Sequence, residues 1–372
     1  MGFNCGIVGL PNVGKSTIFN ALTAAGAASA NYPFCTIDPN VGRVDVPDPR
    51  LEQISSVVKT QKCIPASMEF VDIAGLVRGA SQGEGLGNQF LGHIRSTDAI
   101  VNVVRCFEDA DITHVEGSVN PIRDIETIQA ELIYADTGTV AKGLDRYRKM
   151  LKSGKKDAIA ICAMLEALDA HLQGLKPGRT FDHLPFVGDM QEVEDAWRDL
   201  HLLSAKPAIY VCNVDEDLAT GIGDNVYTKA VREHAKKEGA EVILLCGKLE
   251  EEISTMAVDD RKEMIAGLGM TEPGLNSLIR AGYATLGLQT YFTAGEKEVR
   301  AWTIHRGDKA PAAAGKIHSD FERGFIRAEV FTIADLLKAG SRVKLKELGQ
   351  LRSEGKEYVV QDGDVMEFRF NV

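Results

Sequence analysis

The first twenty residues combine a short apolar run with a glycine-containing loop. Residues 5–8 are apolar, and Gly9 to Ser16 follow with the spacing G-x-x-x-x-G-K-S before an amphipathic stretch. Glycines at both ends of such a loop let successive backbone N–H groups curl around a phosphate chain at the N-terminus of the next helix. Lys15 adds a positive charge for the β- and γ-phosphates, and the Ser16 hydroxyl can ligate Mg²⁺. The spacing therefore predicts a strand, a loop and a helix that bind a nucleoside triphosphate.

The composition is that of a water-soluble protein with more than one domain. The chain has 372 residues, of which 44% are hydrophobic, and a formal net charge of −11. A chain of this length can bury two cores and predicts two to three domains, and the acidic charge argues against indiscriminate nucleic-acid binding. No apolar run approaches the ~20 residues of a membrane span, and no signal-peptide pattern begins the chain. We therefore expect a cytoplasmic protein without membrane contact.

Five apolar runs recur along the chain and are continuous rather than alternating. They cover residues 4–9, 68–72, 99–105, 208–213 and 241–246. Continuous apolar runs are typical of parallel strands that are buried on both faces. Helical segments lie between several of these runs, which is the pattern of a doubly wound sheet. The predicted fold class is therefore α/β, with a P-loop NTPase G domain at its centre.

The stretch between residues 111 and 203 has a different pattern. Apolar residues there recur at steps of three and four around a polar break at Ser153–Lys156, which predicts an inserted antiparallel helical hairpin. Basic residues crowd its tip, and they suit either a solvated helix face or a contact with phosphate backbones. Short runs separated by turns close the chain and predict a small α+β domain. The expected domains are a G domain at 1–118 and 205–288, a helical domain at 119–204, and an α+β domain at 289–372.

Polar residues after the second of these apolar runs complete the predicted phosphate site. Asp72 stands where an aspartate holds Mg²⁺ through water, and the Gly75 N–H would meet the γ-phosphate. Thr36, in the loop after the first helix, would close on Mg²⁺ when the γ-phosphate is present. The glycine-rich stretch Gly79–Asn88 favours a nucleotide-dependent switch. The sequence thus predicts Mg²⁺ as a cofactor, held by Ser16, Thr36 and Asp72.

The group that orients the attacking water is not evident. Leu76 stands where small GTPases carry a glutamine, and a leucine cannot orient water. His114 is a candidate to assist hydrolysis. A second candidate is K⁺, which the Asn12 amide oxygen would hold against the phosphates. If neither His114 nor K⁺ has this role, hydrolysis of the triphosphate is expected to be slow until a partner molecule stimulates it.

The base is predicted from the residues that follow the fourth apolar run. Guanine-specific proteins of this architecture carry N-K-x-D there, whereas this chain has Asn213-Val214-Asp215-Glu216. Val214 replaces the lysine that covers the ring, and Glu216 is one methylene longer than the aspartate that grips guanine, so the bidentate contact is lost. Adenine has one exocyclic amine, which a single acceptor satisfies, so the site favours ATP. Cys246 and Gly247 would form the second loop that contacts the base.

Taken together, these motifs resemble those of the YchF-type, Obg-like ATPases. The resemblance covers essentially the whole chain and rests on Gly9–Ser16, Pro33–Thr36, Asp72–Leu76, Gly79–Asn88 and Asn213–Glu216, with further strings at 289–295 and 314–321. It implies a G domain, an inserted helical hairpin and a terminal TGS domain of β-grasp type. It also implies ribosome binding, a preference for ATP over GTP, and a role in translation or stress responses. By resemblance, His114 matches a family histidine proposed to help hydrolysis.

The predicted function is an ATP-hydrolysing switch that binds the ribosome or RNA and acts as a monomer. Two alternatives stay open, a GTPase with a degenerate base motif and a nucleotide-gated adaptor in which hydrolysis is incidental. The predicted catalytic residues are Lys15, Gly75 and His114. The predicted nucleotide-binding residues are Asn12, Val13, Gly14, Lys15, Ser16, Thr17, Asn213, Val214, Glu216, Cys246 and Gly247.

Overall fold

The computed structural model describes residues 3–29, 40–74, 86–151, 156–188, 190–221 and 223–371. Thr36, Gly75 and most of Gly79–Asn88 lie outside these residues. The strands are β1 Asn4–Val8, β2 Val41–Asp45, β3 Cys63–Ile64, β4 Ser67–Asp72, β5 Ala99–Arg105, β6 Ala208–Asn213, β7 Glu241–Leu245, β8 Leu288–Ala294, β9 Val299–His305, β10 Phe325–Thr332, β11 Arg352–Glu354 and β12 Asp364–Phe370. The α-helices are α1 Lys15–Ser29, α2 Pro49–Val58, α3 Leu86–Arg95, α4 Pro121–Leu151, α5 Lys156–Gln173, α6 Leu184–Val187, α7 Gln191–Asp199, α8 Glu216–Thr220, α9 Val226–Glu238, α10 Gly247–Thr255, α11 Val258–Gly267, α12 Gly274–Thr285, α13 Ala310–Ile317, α14 Ser319–Arg323, α15 Ile333–Ala339 and α16 Arg342–Glu347.

Contacts divide the chain into two compact units. The first unit contains Met1–Gly42 and Glu69–Leu278, and the second contains Arg43–Met68 and Ile279–Val372. This division departs from the expected boundaries at residues 43–68 and 279–288, which the sequence assigned to the G domain and which pack with the C-terminal residues instead. In the part of the chain that the structure describes, no helix is long and apolar enough to cross a membrane.

The larger parallel sheet has the strand order β2-β4-β1-β5-β6-β7, and its strands β1, β5, β6 and β7 lie wholly within the first unit. The pairs β1/β4, β1/β5, β5/β6 and β6/β7 are parallel, and every residue of β5 and β6 is buried. The continuous apolar runs explain this burial, because both faces of the central strands are covered by helices. The predicted parallel α/β sheet is confirmed. Since the carboxyl ends of parallel strands meet at one edge, the loops after β1, β4, β6 and β7 converge there.

The predicted helical hairpin is confirmed as α4 and α5, which pack against each other and against α7. Their shared core is a set of buried aliphatic residues: Ile133, Val140, Leu144, Ile161, Met164, Leu165, Leu168, Leu172, Val193 and Leu202. The steps of three and four along both helices put the α4 and α5 members of this set on one stripe of each helix. Hydrophobic burial along that stripe therefore holds the pair together.

A buried carboxylate fastens the hairpin to the chain that returns to the sheet. Asp136, which is 1% exposed, accepts hydrogen bonds from Leu203 N at 2.8 Å, Ser204 N at 2.7 Å and Ser204 Oγ at 2.6 Å. Ser204 Oγ in turn accepts from Gly178 N at 2.8 Å. Burial raises the pKa of the Asp136 carboxyl, although the three donors act in the opposite direction. The carboxylate thus satisfies donors that have lost access to water.

We expect Asp136→Ala to lower the free energy of unfolding by about 3 kcal/mol, because it leaves buried N–H and O–H donors without an acceptor. The matched control is Asp145→Ala, which removes an exposed carboxylate from the same helix. Urea denaturation followed by circular dichroism measures both midpoints. Equal midpoints for the two variants would contradict the anchoring role of Asp136.

The second unit is a mixed sheet with the strand order β11-β10-β12-β8-β9-β3. The pairs β8/β9, β10/β12 and β10/β11 are antiparallel, whereas β12/β8 and β3/β9 are parallel. Helix α13 packs its alanines Ala310, Ala313 and Ala314 into a core with Tyr291 and Phe368. The arrangement is the small α+β fold that the sequence predicts for the C-terminal region.

Residues 43–68 complete this second unit. Strand β3 pairs with β9 through Cys63 and Val299, and helix α2 packs on β8, β9 and α15. Arg50 of α2 donates to Asp362 Oδ2 at 2.7 Å, and its guanidinium lies 5.3 Å from the centre of the Phe292 ring. The sequence does not reveal this assignment, because the partners of α2 lie as many as 312 positions away along the chain.

Candidate nucleotide-binding site

The phosphate loop connects β1 to α1, and its two glycines have steric reasons to be there. A Cβ at Gly9 would lie 2.8 Å from Val103 O and 2.9 Å from Val13 Cγ2. Gly14 has φ +92°, and a Cβ there would lie 2.1 Å from Asn213 Nδ2. Neither position therefore accepts a side chain without displacement. The Val13 side chain is buried, so only its backbone can face a ligand in the loop.

Lys15 and Asp72 meet at the point where the sequence places the γ-phosphate and Mg²⁺. Lys15 is the first residue of α1, Asp72 is the last residue of β4, and Lys15 Nζ forms an ion pair with Asp72 Oδ1. The two side chains are 11% and 20% exposed. Their pairing keeps both charges compensated at the positive end of the α1 dipole. By prediction, a triphosphate that takes up the Lys15 ammonium would free the Asp72 carboxylate for a cation.

The oxygen ligands at this edge suit Mg²⁺. Ser16, the second residue of α1, is exposed and offers a hydroxyl, and Asp72 offers a carboxylate. Hard oxygen donors of this kind are the ones Mg²⁺ prefers, usually together with phosphate oxygens and water rather than in an all-protein cage. The described residues contain no cluster of three or more His, Cys, Asp or Glu side chains that could hold a metal ion.

Asn213 joins the phosphate loop to the loop that follows β7. Its Nδ2 donates to Val13 O at 2.9 Å, and its Oδ1 accepts from Gly247 N at 2.9 Å. The side chain is 6% exposed. The described contacts of Asn213 are therefore with the protein, and the residue fixes the spacing between the two loops predicted to bind the nucleotide.

The remaining residues predicted to contact the base lie at different depths. Val214 is 1% exposed and packs in the core with Val104 and Cys212, so its side chain does not face the surface. Glu216 is exposed at the start of α8. Cys246 precedes α10, and burial raises the pKa of its thiol, which keeps it neutral at pH 7.

Asp215 has a structural role beyond its place in the predicted base motif. Its side chain caps α8 by accepting from Leu218 N at 2.9 Å. An aspartate directly before a short helical segment is a typical N-cap, and this was the signal in the sequence. The cap sets where Glu216 stands relative to the end of β6.

His114 is buried, and both of its ring nitrogens have partners. Nε2 lies 2.9 Å from Asp124 Oδ2, and Nδ1 accepts from Glu116 N at 3.1 Å. The imidazole is 3% exposed and the Asp124 carboxyl 1%. Because Nδ1 accepts a hydrogen bond, Nε2 carries the proton that is donated to Asp124. In this arrangement His114 has no nitrogen left to orient a water molecule.

The comparisons with known proteins extend over the whole chain. Residues 4–136 match a family model described as a 50S ribosome-binding GTPase, and residues 288–371 match the YchF-GTPase_C model, described as a protein of unknown function. The chain is 54% identical over 372 residues to the ribosome-binding ATPase YchF of Bacillus subtilis, and 54% identical to that of Escherichia coli O157:H7, with complete coverage of both proteins in each case. Its fold is similar to the solved structure of the Schizosaccharomyces pombe YchF GTPase, with a TM-score of 0.86 and 38% identity over 99% of this chain and 98% of that one.

Proposed function

The chain belongs to the YchF family, and from this premise we propose that it is an ATP-hydrolysing switch that associates with the ribosome. One observation carries the proposal for its nucleotide site. The Lys15–Asp72 pair and the phosphate loop lie at the carboxyl edge of a parallel sheet, and Asn213 ties the phosphate loop to the loop after β7 that is predicted to contact the base. The names of the relatives, ribosome-binding ATPases, supply the partner and the reaction.

The proposed chemistry uses this chain's own residues as follows. The Lys15 ammonium leaves Asp72 and binds the β- and γ-phosphates, and the backbone N–H groups after Gly9 cradle the phosphate chain. Asp72, through water, and the Ser16 hydroxyl would hold Mg²⁺, which neutralises charge on the phosphates when it is bound. Thr36 and Gly75 remain predictions as further contacts to Mg²⁺ and to the γ-phosphate.

The group that orients the attacking water also remains a prediction. His114 can take this role only after it gives up its bond to Asp124 or the one from Glu116 N, since both ring nitrogens are engaged. Such a requirement would keep hydrolysis slow until a partner shifts the His114 segment. K⁺ is the second candidate: Asn12 uses its amide nitrogen on Thr113 O, so its amide oxygen would be the ligand.

Nucleotide competition tests the preference for ATP. Fluorescent ATP is displaced by unlabelled ATP or GTP in Mg²⁺ and K⁺ buffer, and we expect ATP to bind at least tenfold more tightly, about 1.4 kcal/mol. Tighter binding of GTP would instead favour a GTPase with a degenerate base motif. Equal binding would show that Glu216 and the 246–247 loop select little.

Sedimentation with purified ribosomes tests the partner. We expect co-sedimentation and a rise in ATP turnover when ribosomes are added. Co-sedimentation that depends on nucleotide but leaves turnover unchanged would favour the adaptor alternative. The absence of co-sedimentation with every nucleotide would contradict the ribosome assignment.

We assign the basic face of α4 as a phosphate-contacting surface for ribosomal RNA. Lys142, Arg146, Arg148 and Lys149 are exposed there, although Arg148 pairs with Glu166 at 2.9 Å. Charge reversal at Lys142 and Arg146 should lower the fraction of protein that co-sediments with ribosomes. It should also make that fraction less dependent on salt concentration, because fewer counterions are released on binding. Lys236→Glu, at an exposed position of α9, is the matched control.

The domain boundaries, the oligomeric state and the location complete the proposal. We propose a G domain, a hairpin domain and a TGS-like domain with the predicted bounds, except that residues 43–68 and 279–288 pack in the same unit as the TGS-like domain. The protein is proposed to act as a monomer in the cytoplasm. Size-exclusion chromatography with light scattering, with and without ATP, measures the oligomeric state.

A further inference from the structure

We infer that Arg105 is a positioning residue for the phosphate loop, which it reaches through the segment Phe107–Thr113 and the side chain of Asn12. The inference rests on the proposed nucleotide binding. It concerns how the phosphate loop is kept in its binding conformation before the triphosphate arrives. We call Phe107–Thr113 the Arg105 loop.

Arg105 is a buried arginine whose described hydrogen bonds go to backbone carbonyls. It ends strand β5 and is 1% exposed. Its Nε donates to Phe107 O at 3.1 Å, Nη2 to Asp109 O at 3.0 Å and Nη1 to Ile112 O at 2.8 Å. Burial of a guanidinium is unfavourable unless its rigid set of donors finds fixed acceptors. Because the guanidinium binds three carbonyls within six residues, it holds the backbone of the Arg105 loop in one conformation.

The far end of the Arg105 loop contacts the phosphate loop. Ile112 accepts from Arg105, and the next carbonyl, Thr113 O, accepts from Asn12 Nδ2 at 3.1 Å. Asn12 has φ 64°, a left-handed conformation that few non-glycine residues adopt. A side-chain hydrogen bond to a fixed carbonyl favours this conformation over the alternatives open to an exposed residue. The position of Thr113 O thus influences the backbone conformation of residues 11–14.

The consequence concerns affinity for the triphosphate. Backbone N–H groups bind phosphates best when they already point at the ligand, because no ordering is left to be done on binding. Loss of the Asn12–Thr113 hydrogen bond should weaken ATP binding about five- to tenfold, the range of one net hydrogen bond. Loss of the Arg105 contacts should act through the same bond, so the two effects should not multiply.

A double-mutant cycle tests this coupling. Arg105→Lys, Asn12→Ala and the double variant are compared with wild type for ATP affinity in Mg²⁺ buffer without K⁺, so that a role of Asn12 in cation binding does not contribute. We expect each single variant to bind ATP about five- to tenfold more weakly than wild type. The ATP affinity of the double variant should equal that of the single variant with the larger loss. Effects that multiply, or an unchanged affinity in Arg105→Lys, would overturn the inference.

The matched control is Arg179→Lys. The Arg179 side chain is also largely shielded from solvent, at 9% exposed, and donates to a backbone carbonyl, Lys206 O at 3.3 Å, but its ion pair is with Glu238. The Arg179→Lys substitution should lower the thermal midpoint of unfolding without changing ATP affinity. An equal loss of affinity in this control would show a general effect of buried arginines and would overturn the inference.

Two further measurements separate the possible failures. Asn12 is exposed, so Asn12→Ala should fold whatever happens to the Arg105 variants, and an unchanged ATP affinity in Asn12→Ala overturns the inference by itself. Wild-type protein that binds neither ATP nor GTP would refute the proposed function. Wild-type protein that binds ATP while the cycle is additive would refute the inference alone.

Discussion

Replacement of Lys15 by alanine is expected to lower ATP turnover by a factor on the order of 10² to 10³, the usual effect of removing a preorganised charge from a transition state. The ammonium is the only group of this side chain that can reach the phosphates, and its loss also leaves the Asp72 carboxylate without its present partner. Phosphate release at saturating Mg²⁺ and ATP measures the effect.

The control for this experiment is Lys229→Ala, which removes an exposed ammonium from α9 and should leave turnover unchanged. Turnover above a tenth of the wild-type value in Lys15→Ala would contradict the assignment of Lys15. A thermal midpoint measured without nucleotide distinguishes lost chemistry from lost fold.

The second large effect is expected for Gly14→Ala. The new methyl group would lie 2.1 Å from Asn213 Nδ2, so Asn213 must move and give up its bonds to Val13 O and Gly247 N. Together with the positive φ, this should weaken ATP binding about a hundredfold, since strain and each lost hydrogen bond cost on the order of 1 kcal/mol.

Gly239→Ala separates the two causes. Gly239 also has a positive φ, +66°, but a Cβ there meets no atom within 4 Å. This control carries the backbone strain alone, far from the phosphate loop in the chain, and should lower stability by about 1 kcal/mol without affecting ATP binding. If Gly14→Ala bound ATP as tightly as Gly239→Ala, the steric argument at Asn213 would be wrong.

Local patterns explain which parts of the fold were predictable. The phosphate loop, the parallel strands and the helical hairpin follow from spacings within a few residues, so each could be recognised in isolation. Asp72 could also be placed, because the end of an apolar run fixes its position at the sheet edge. These predictions needed no knowledge of distant contacts.

The unpredicted features depend on contacts between distant parts of the chain or on which way a side chain points. The sequence could not show that Val214 packs in the core, since the direction of a side chain after a strand depends on the following turn. Arg105 gave one signal, a charged residue at the end of an otherwise apolar run. Its acceptors are backbone carbonyls, which no residue type reveals. Asp362, the distant partner of Arg50, lies 312 positions away.

The assignment of residues 43–68 to the second unit has a consequence for biosynthesis. Strand β3 ends at Ile64, and the first strand of the C-terminal sheet begins at Leu288. At typical elongation rates this interval corresponds to about ten to forty seconds of translation. During that time α2 and β3 have been synthesised without the sheet they complete, so the second unit assembles only at the end of synthesis, around a segment made near its beginning.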